Sequence, residues 1–333
     1  MTAGTATPRV SVLVTSYNHA RYVEQALDSL RRQTSGDFEV IITDDASTDG
    51  CADVIEAWLA RTGYPAQFIR NRSNRGICAN RNTALARTSG AFICSLSGDD
   101  CYEPERIARQ LDCFLAQPGQ VAAVYSDMLI VDSAGKPVGS NFLDLTLQGA
   151  PPPQGEIFAR ILSGNFLPAP ATMVRRSAID NVGGYDESLS YEDLDMWLRL
   201  SFRCHFVHLP GALVRYRQHS DSMSDSPHIQ PRIHASYTKI LRKWLDAGLD
   251  QELKLLTLDQ LLINGAMQLS LRDSAGARET FMTVVNNDSR PRRRLLARIA
   301  MLPGASSAAP ALRRVYRGIK KLGNRLSLRR RRR

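Results

Sequence analysis

The 333-residue sequence has no run of about 18 consecutive apolar residues, so none of its helices can cross a bilayer alone and a helical integral membrane protein is excluded. Its six cysteines, Cys51, Cys78, Cys94, Cys101, Cys113 and Cys204, include no Cys-x-x-Cys pair. That removes a zinc ribbon and a small disulfide framework and leaves free thiols as the expectation. Glycine-rich phosphate cradles are missing as well: neither Gly-x-Gly-x-x-Gly nor Gly-x-x-x-x-Gly-Lys-Ser/Thr occurs, so a bound diphosphate would have to be met by cations. Residues 1–9, MTAGTATPR, have neither a basic start nor an apolar stretch, and the expectation is a cytoplasmic chain. Acid is scarce at one end only. Residues 286–333 hold 14 Arg and 2 Lys against the single Asp288, a charge of +15 inside a total of +10, so the other 285 residues carry −5. The basic character belongs to a tail, and a mildly acidic body is no surface for nucleic acid.

With 43% hydrophobic and 23% charged residues, the chain has the material for a sizeable core. Over the first 130 residues short β-type runs alternate with helical periods, the pattern of an α/β fold with a largely parallel sheet. Strands are expected at 10–16, 38–44, 66–71, 91–97 and 121–132. A helix follows the first of them with Val23, Ala26, Leu27 and Leu30 on one face, and Ser47 or Asp49 is the expected cap of the next. Residues 133–155, rich in Gly and Pro, read as a boundary. Helices near 156–163 and 192–203 and a strand near 212–216 follow, and 236–286 is helical throughout.

Ligands of an open parallel sheet bind beyond the carboxyl ends of its strands. Those ends are polar here: Thr15-Ser16-Tyr17-Asn18, Asp44-Asp45-Ala46-Ser47-Thr48-Asp49, and Ser97-Gly98-Asp99-Asp100. One acidic cluster would ordinarily cap a helix, but three on one sheet edge suit a divalent cation and a nucleotide. After the third strand, Arg75, Arg81 and the amides of Asn80 and Asn82 are placed to meet a diphosphate, although Arg81 equally suits an exposed helical position. Glu192, Asp193 and Asp195 precede the apolar Leu194, Trp197, Leu198 and Leu200, which by itself describes acids in the first turn of a helix with Trp197 in the core.

The segments SVLVTSYN (11–18), DDASTDG (44–50), NRGICANRNTAL (74–85) and SLSGDD (95–100), in this order, resemble the family 2 glycosyltransferases of the GT-A fold. GGYDESLSYEDLDMWLRL (183–200) is similar to the acceptor-side segment of that family, and VRYRQHSDSMS (214–224) to its closing segment. The resemblance spans about residues 8–224. It implies a Rossmann-like, mostly parallel sheet flanked by helices, with residues 1–132 as a nucleotide-sugar half and 133–225 as an acceptor half. A helical region at 226–288 and a basic amphipathic tail at 289–333 complete the expected organisation.

The implied activity is inverting transfer of a sugar from a nucleoside-diphosphate sugar, a UDP-sugar favoured, to a hydroxyl of a glycan or lipid-linked acceptor in cell-surface polysaccharide or lipopolysaccharide synthesis. The resemblance also implies the site. Thr15, Tyr17, Asn18, Asp44 and Asp45 would hold the nucleotide, Arg81 the base or diphosphate, and Asp99 the ribose or donor sugar. Asp100 would bind Mn²⁺ or Mg²⁺, with His219 as a further ligand; Asp193 would be the base and Glu192 its acceptor-side neighbour. Glycine at the second position departs from the commoner spellings of the family's acidic motif.

After Pro310, Leu312, Val315, Tyr316, Ile319, Leu322 and Leu326 share one helical face opposite six basic residues, and Arg329–Arg333 follow. This tail suits an anionic membrane surface on the inner side of the cell, or a solubilising role. The alternative for the whole chain is a non-catalytic protein that uses the tail to bind a membrane or nucleic acid.

Overall fold

The computed structural model describes residues 9–220, 222 and 229–302. Every residue of VSVLVTS is buried, as suits a strand covered by helices on both faces; it forms β1 (Val10–Ser16) at the middle of the first half of the sheet. It pairs in parallel with β2 (Phe38–Asp44), which pairs in parallel with β3 (Ala66–Arg70). On its other side β1 pairs with β4 (Phe92–Ser97). The sheet continues through β5 (Cys101–Tyr102), β6 (Val121–Val131), β7 (Thr172–Arg175) and β8 (His205–Arg217), with spatial order β3-β2-β1-β4-β7-β6-β8-β5. Strands β5 and β7 run against the other six. This is the mostly parallel α/β architecture expected from the sequence.

The helix Val23–Arg31 buries Val23, Ala26, Leu27 and Leu30 against the sheet, the face its spacing foretold. The next helix, Cys51–Thr62, starts after Gly50 in a left-handed conformation (φ 87°). Its expected cap is shared out: Asp49 Oδ1 accepts the Cys51 N–H (3.0 Å), while Ser47 turns back to Asp44. Trp58 on this helix is fully buried and donates its indole N–H to Asp28 (3.0 Å), tying two helices together.

Two strands escaped the sequence reading. β5 and β7 have two and four residues, too short for a period to show. β8 was expected only near its end, because Pro210 and Gly211 break its pattern; the structure passes them as an irregularity, where the pairing jumps from Tyr125–His208 to Asp127–Ala212. Parallel register sets the site. Ser16 lies opposite Asp44, and Thr15 lies opposite both Thr43 and Ser97, so three polar strand ends share one edge.

These strands belong to one compact unit, Met1–Phe158 with Phe166–His219. The second unit is Ala159–Asn165 with Ser220–Arg333. Its described part contains the helices Gln230–Asp246, Gln251–Ser270, Ser274–Asn287 and Pro291–Ala300. Asp250 and Asp273 cap the second and third of these through the N–H groups of Leu253 and Gly276. Ile240, Leu241, Leu261, Leu262, Phe281 and Val284 form its core. A buried polar chain crosses it, in which Asn264 donates to Thr238 (2.8 Å), Thr238 bonds Thr280 (2.7 Å), and Thr280 donates to Gln268 (2.7 Å). Among the described residues no helix is long and apolar enough to cross a membrane. The amphipathic helix expected after Pro310 lies outside the described residues.

Candidate functional site

The β1 and β2 ends are stitched into one polar shelf. Asp44, fully buried, accepts from Ser47 N–H (2.9 Å) and Ser47 Oγ (2.5 Å), and Ser47 Oγ accepts the Asn18 N–H (2.8 Å). Asn18 Oδ1 accepts the Thr48 N–H in return (2.8 Å). Asn18 and Ala46 both hold left-handed backbone conformations (φ 58° and 60°), a strain of about 1 kcal/mol for a residue with a Cβ, which such a bonded shelf can hold in place. Asp45 reaches the loop after β3 and accepts from the N–H groups of Arg75 (3.0 Å) and Gly76 (2.9 Å) and from the Asn71 amide (3.1 Å). Thr15 is buried beneath the shelf, and the Tyr17 ring stands out of it, 45% exposed.

Beside the shelf, the β4 end brings its carboxylates to two histidines. Asp99 Oδ2 lies 3.2 Å from His219 Nε2 and 3.7 Å from His19 Nε2. Its Oδ1 and His19 Nδ1 are buried with no hydrogen-bond partner among the described residues. Burial alone would raise the Asp99 pKa, but the His219 hydrogen bond and the His19 charge outweigh it and hold the carboxyl at about 2. Asp100 takes the opposite turn. It is 1% exposed, its Oδ1 accepts the Arg217 N–H (2.9 Å), and burial together with the Asp99 charge pushes its pKa well up. Gly98 makes the packing possible: a Cβ there would lie 2.9 Å from both His19 Nδ1 and Ser16 Oγ.

Arg217 fastens this corner. Its Nε donates to the Asp99 carbonyl (2.9 Å), Nη1 to the carbonyls of Asp132 (3.3 Å) and Ser133 (3.2 Å), and Nη2 to Gln25 (3.0 Å), while the guanidinium lies 4.8 Å from the Tyr22 ring centre. The Tyr22 ring also lies beside His219, with ring centres 4.9 Å apart. A cavity of about 410 Å³ adjoins Arg217 and is lined by Gln25, Arg32, Cys101 and Arg215 among others; Thr15, Tyr17, Asp45 and Asp99 do not line it.

The helices Ile77–Leu85 and Glu192–Ser201 meet at a second cluster. Arg81 Nη2 lies 3.4 Å from Glu192 Oε1, and its guanidinium carbon lies 5.5 Å from the Tyr185 ring centre. Asp193, half-buried in the first turn, follows Glu192 directly. Asp195 is buried and pairs with Arg199 (2.7 Å), which donates to the carbonyls of Val182 and Gly184 and so fixes the turn before Tyr185. Trp197 is 4% exposed and packs edge-on against Phe206, the core position its register implied.

The family model described as "Glycosyl transferase family 2" matches residues 11–183, which contain the shelf, the β4 end and Arg81. The chain belongs to this family. EpsE of Bacillus subtilis (strain 168), a glycosyltransferase by name, is 30% identical over 221 residues, 65% of this chain and 75% of EpsE. Among solved structures, S. aureus TarS 1-349 in complex with UDP-GlcNAc superposes with a TM-score of 0.68 at 19% identity, covering 93% of this chain and 92% of TarS 1-349. The mannosyltransferase PcManGT from Pyrobaculum calidifontis, in complex with GDP-Man and Mn²⁺, gives 0.57 at 18% identity, covering 96% of this chain and 88% of that one. At such identities these two show the shared GT-A fold.

Within this family 2 glycosyltransferase the amide of Asn82 and the amide oxygen of Asn80 are engaged in structural hydrogen bonds. Asn80 accepts from Asn71 (3.0 Å), and Asn82 exchanges hydrogen bonds with the Tyr185 backbone while donating to Glu187. Three residues of the corner were missed from sequence. His19 directly follows the Thr-Ser-Tyr-Asn segment, Tyr22 lies one helical turn further on, and Arg217 sits two residues before His219 in the closing segment. Position next to a recognised segment was the available signal. No group of three or more His, Cys, Asp or Glu among the described residues is arranged to hold a metal alone.

Proposed function

We propose that the protein is an inverting, metal-dependent glycosyltransferase that moves a sugar from a nucleoside-diphosphate sugar, with UDP the favoured nucleotide, to a hydroxyl of a glycan or lipid-linked acceptor in cell-surface polysaccharide or lipopolysaccharide synthesis. The observation that carries this reading is the Asp99 carboxylate at the end of β4: ionised, beside two imidazoles, and with one buried oxygen that has no hydrogen-bond partner among the described residues. An unpartnered buried carboxylate oxygen is costly, and a hard cation is the partner that suits it.

The residues present fit a divalent cation. Asp99 and His219 would hold Mn²⁺ or Mg²⁺, and with only two protein side chains in place the donor diphosphate and water would supply the remaining positions, the usual arrangement at phosphate sites. When bound, the cation would stabilise the charge that develops on the departing diphosphate. Asp100, expected from sequence to be the ligand, would instead hold the β8 end through the Arg217 N–H. Tyr17 would stack on the base from its exposed position, with Thr15 and the Asn18–Asp44–Asp45 shelf shaping the pocket beneath. Arg81, kept charged by Glu192, would face the donor phosphates. Asp193 would take the proton of the acceptor hydroxyl as that oxygen attacks the anomeric carbon opposite the leaving group, which inverts its configuration. Six free cysteines, four of them buried, suit a reducing compartment and support a cytoplasmic location.

Calorimetric titration with UDP, GDP, CDP and dTDP, with and without Mn²⁺, tests the reading. One diphosphate should bind only with metal, and Asp99→Asn should abolish that binding while Asp100→Asn only weakens it. Reversed effects of the two variants would return the cation to Asp100. If no diphosphate binds at about millimolar concentration with metal present, the donor site is refuted.

A further inference from the structure

The helix Pro291–Ala300 in the second unit is divided in a way its packing does not explain. Ala297 and Ala300 are buried, and Arg293 faces the same side, pairing with Asp259. The outward side should then be polar. Instead it carries Leu295 and Ile299, 58% and 47% exposed, and Leu302 just beyond is 60% exposed. At about 100° per residue Leu295 and Ile299 lie side by side at the middle of the outward arc, with Arg292 next to Ile299 and Arg298 and Arg294 on the Leu295 side. None of these three arginines has an ion-pair partner among the described residues. Large apolar side chains framed by uncompensated cations are the arrangement of a helix that lies in a lipid headgroup region, apolar centre down and cations against phosphate.

Charge complementarity selects the kind of surface. The 31 residues after Leu302 contain nine Arg and two Lys and no acid, the first of them Arg313, so the same end of the chain carries further positive charge. A partner with a dense negative surface and an apolar layer a few ångströms beneath it satisfies both features together. A nucleic acid offers only the first.

We infer that the Leu295–Ile299–Leu302 face, with Arg292, Arg294 and Arg298, is a docking surface for an anionic lipid bilayer, which brings the enzyme to membrane-held acceptors. The surface is defined by the second unit alone and does not depend on the donor-site reading.

The test is co-sedimentation of the full chain with neutral phosphatidylcholine vesicles and with vesicles of about 3:1 phosphatidylcholine to phosphatidylglycerol, at about 0.15 M salt. The wild type should bind the anionic vesicles and leave the neutral ones. The triple variant Leu295→Ser, Ile299→Ser, Leu302→Ser keeps every positive charge, and should lower partition onto anionic vesicles about tenfold or more with an unchanged thermal midpoint. The variant Arg292→Gln, Arg294→Gln, Arg298→Gln should bind more weakly and lose salt dependence. Wild-type partition by the apolar triple variant would overturn the inference, since the tail's charge would then suffice. A lowered thermal midpoint with partition intact would also overturn it, because the face would then be covered by protein. So would tight binding of an RNA oligonucleotide by a chain that ignores both kinds of vesicle. UDP binding, measured in parallel, reports separately on the donor site.

Discussion

The same strands end in two contrasting edges. At the amino-terminal edge Glu39 on β2 accepts from Ser11 Oγ (2.6 Å), Ser89 N–H (2.6 Å), Ser89 Oγ (2.8 Å) and Gly90 N–H (3.2 Å), and Gly90 also donates to Ser11 Oγ (2.9 Å). Everything polar there is paid in kind by a neighbour. At the carboxyl-terminal edge Asp99 Oδ1 and His19 Nδ1 are buried with no hydrogen-bond partner among the described residues. Each edge needs one glycine for a close approach. A Cβ at Gly90 would lie 2.8 Å from backbone atoms of Val10 and Ser11, whereas one at Gly98 would meet only side-chain atoms, His19 and Ser16. One edge is closed by its own hydrogen bonds, and the other leaves buried polar atoms unpaired among the described residues, which is what the proposed donor site would use.

Four changes break or sharpen that contrast. The largest effect is expected from Asp193→Asn, the proposed base: transfer to acceptor should fall about 10²–10⁴-fold with nucleotide affinity and stability unchanged, read by product formation beside calorimetric binding. An equal loss of nucleotide binding would remove Asp193 from the proton-transfer role. At the closed edge, Gly90→Ala drives a methyl group into backbone and should cost about 3 kcal/mol in urea unfolding, with UDP affinity unaltered in the folded fraction. Gly98→Ala should cost no more than about 1 kcal/mol, since side chains can yield, yet weaken metal-dependent UDP binding about tenfold by displacing His19. Stability losses of the same size in both glycine variants would erase the distinction between the edges.

The smallest effect concerns acid. For Glu39, burial favours the neutral form, but the hydrogen bonds from Ser11, Ser89 and Gly90 outweigh it and lower the pKa from its ordinary value of 4.5. A lowered folded-state pKa means that the stabilisation is complete above that ordinary value and is lost as pH falls through the folded one. Glu39→Gln should therefore destabilise modestly at pH 7 and shallow the decline of the urea midpoint toward acid. A decline as steep as the wild type's would show that other carboxylates govern it.

Much of the fold was legible because it is local. β1 and β2 span the expected residues, and the helix Val23–Arg31 buries the expected face, since burial on two sides and a 3.6-residue period leave their marks within seven to nine residues. β5 and β7 were hidden for the converse reason, since two and four residues carry no period, and only the end of β8 was legible because a proline–glycine irregularity interrupts it. The order of polar strand ends was equally readable, and with it the family.

What the amino-acid sequence alone determined is the longer strands of the first half, the class of fold and the chemical content of one edge. The tertiary structure decided which of two adjacent aspartates meets a histidine. Asp99 and His219 are 120 residues apart, and Arg217 fastens to Asp99 across 118. Neighbours in sequence share a strand end but point to different sides of it, so one Asp99 oxygen has no hydrogen-bond partner among the described residues while Asp100 is sealed against Arg217. The same long-range packing spent the Asn82 amide on the Tyr185 backbone and brought Arg81 to Glu192. Propensity and periodicity are properties of neighbouring residues; the environment of a charge is a property of the whole packed sheet, and only the folded chain contains it.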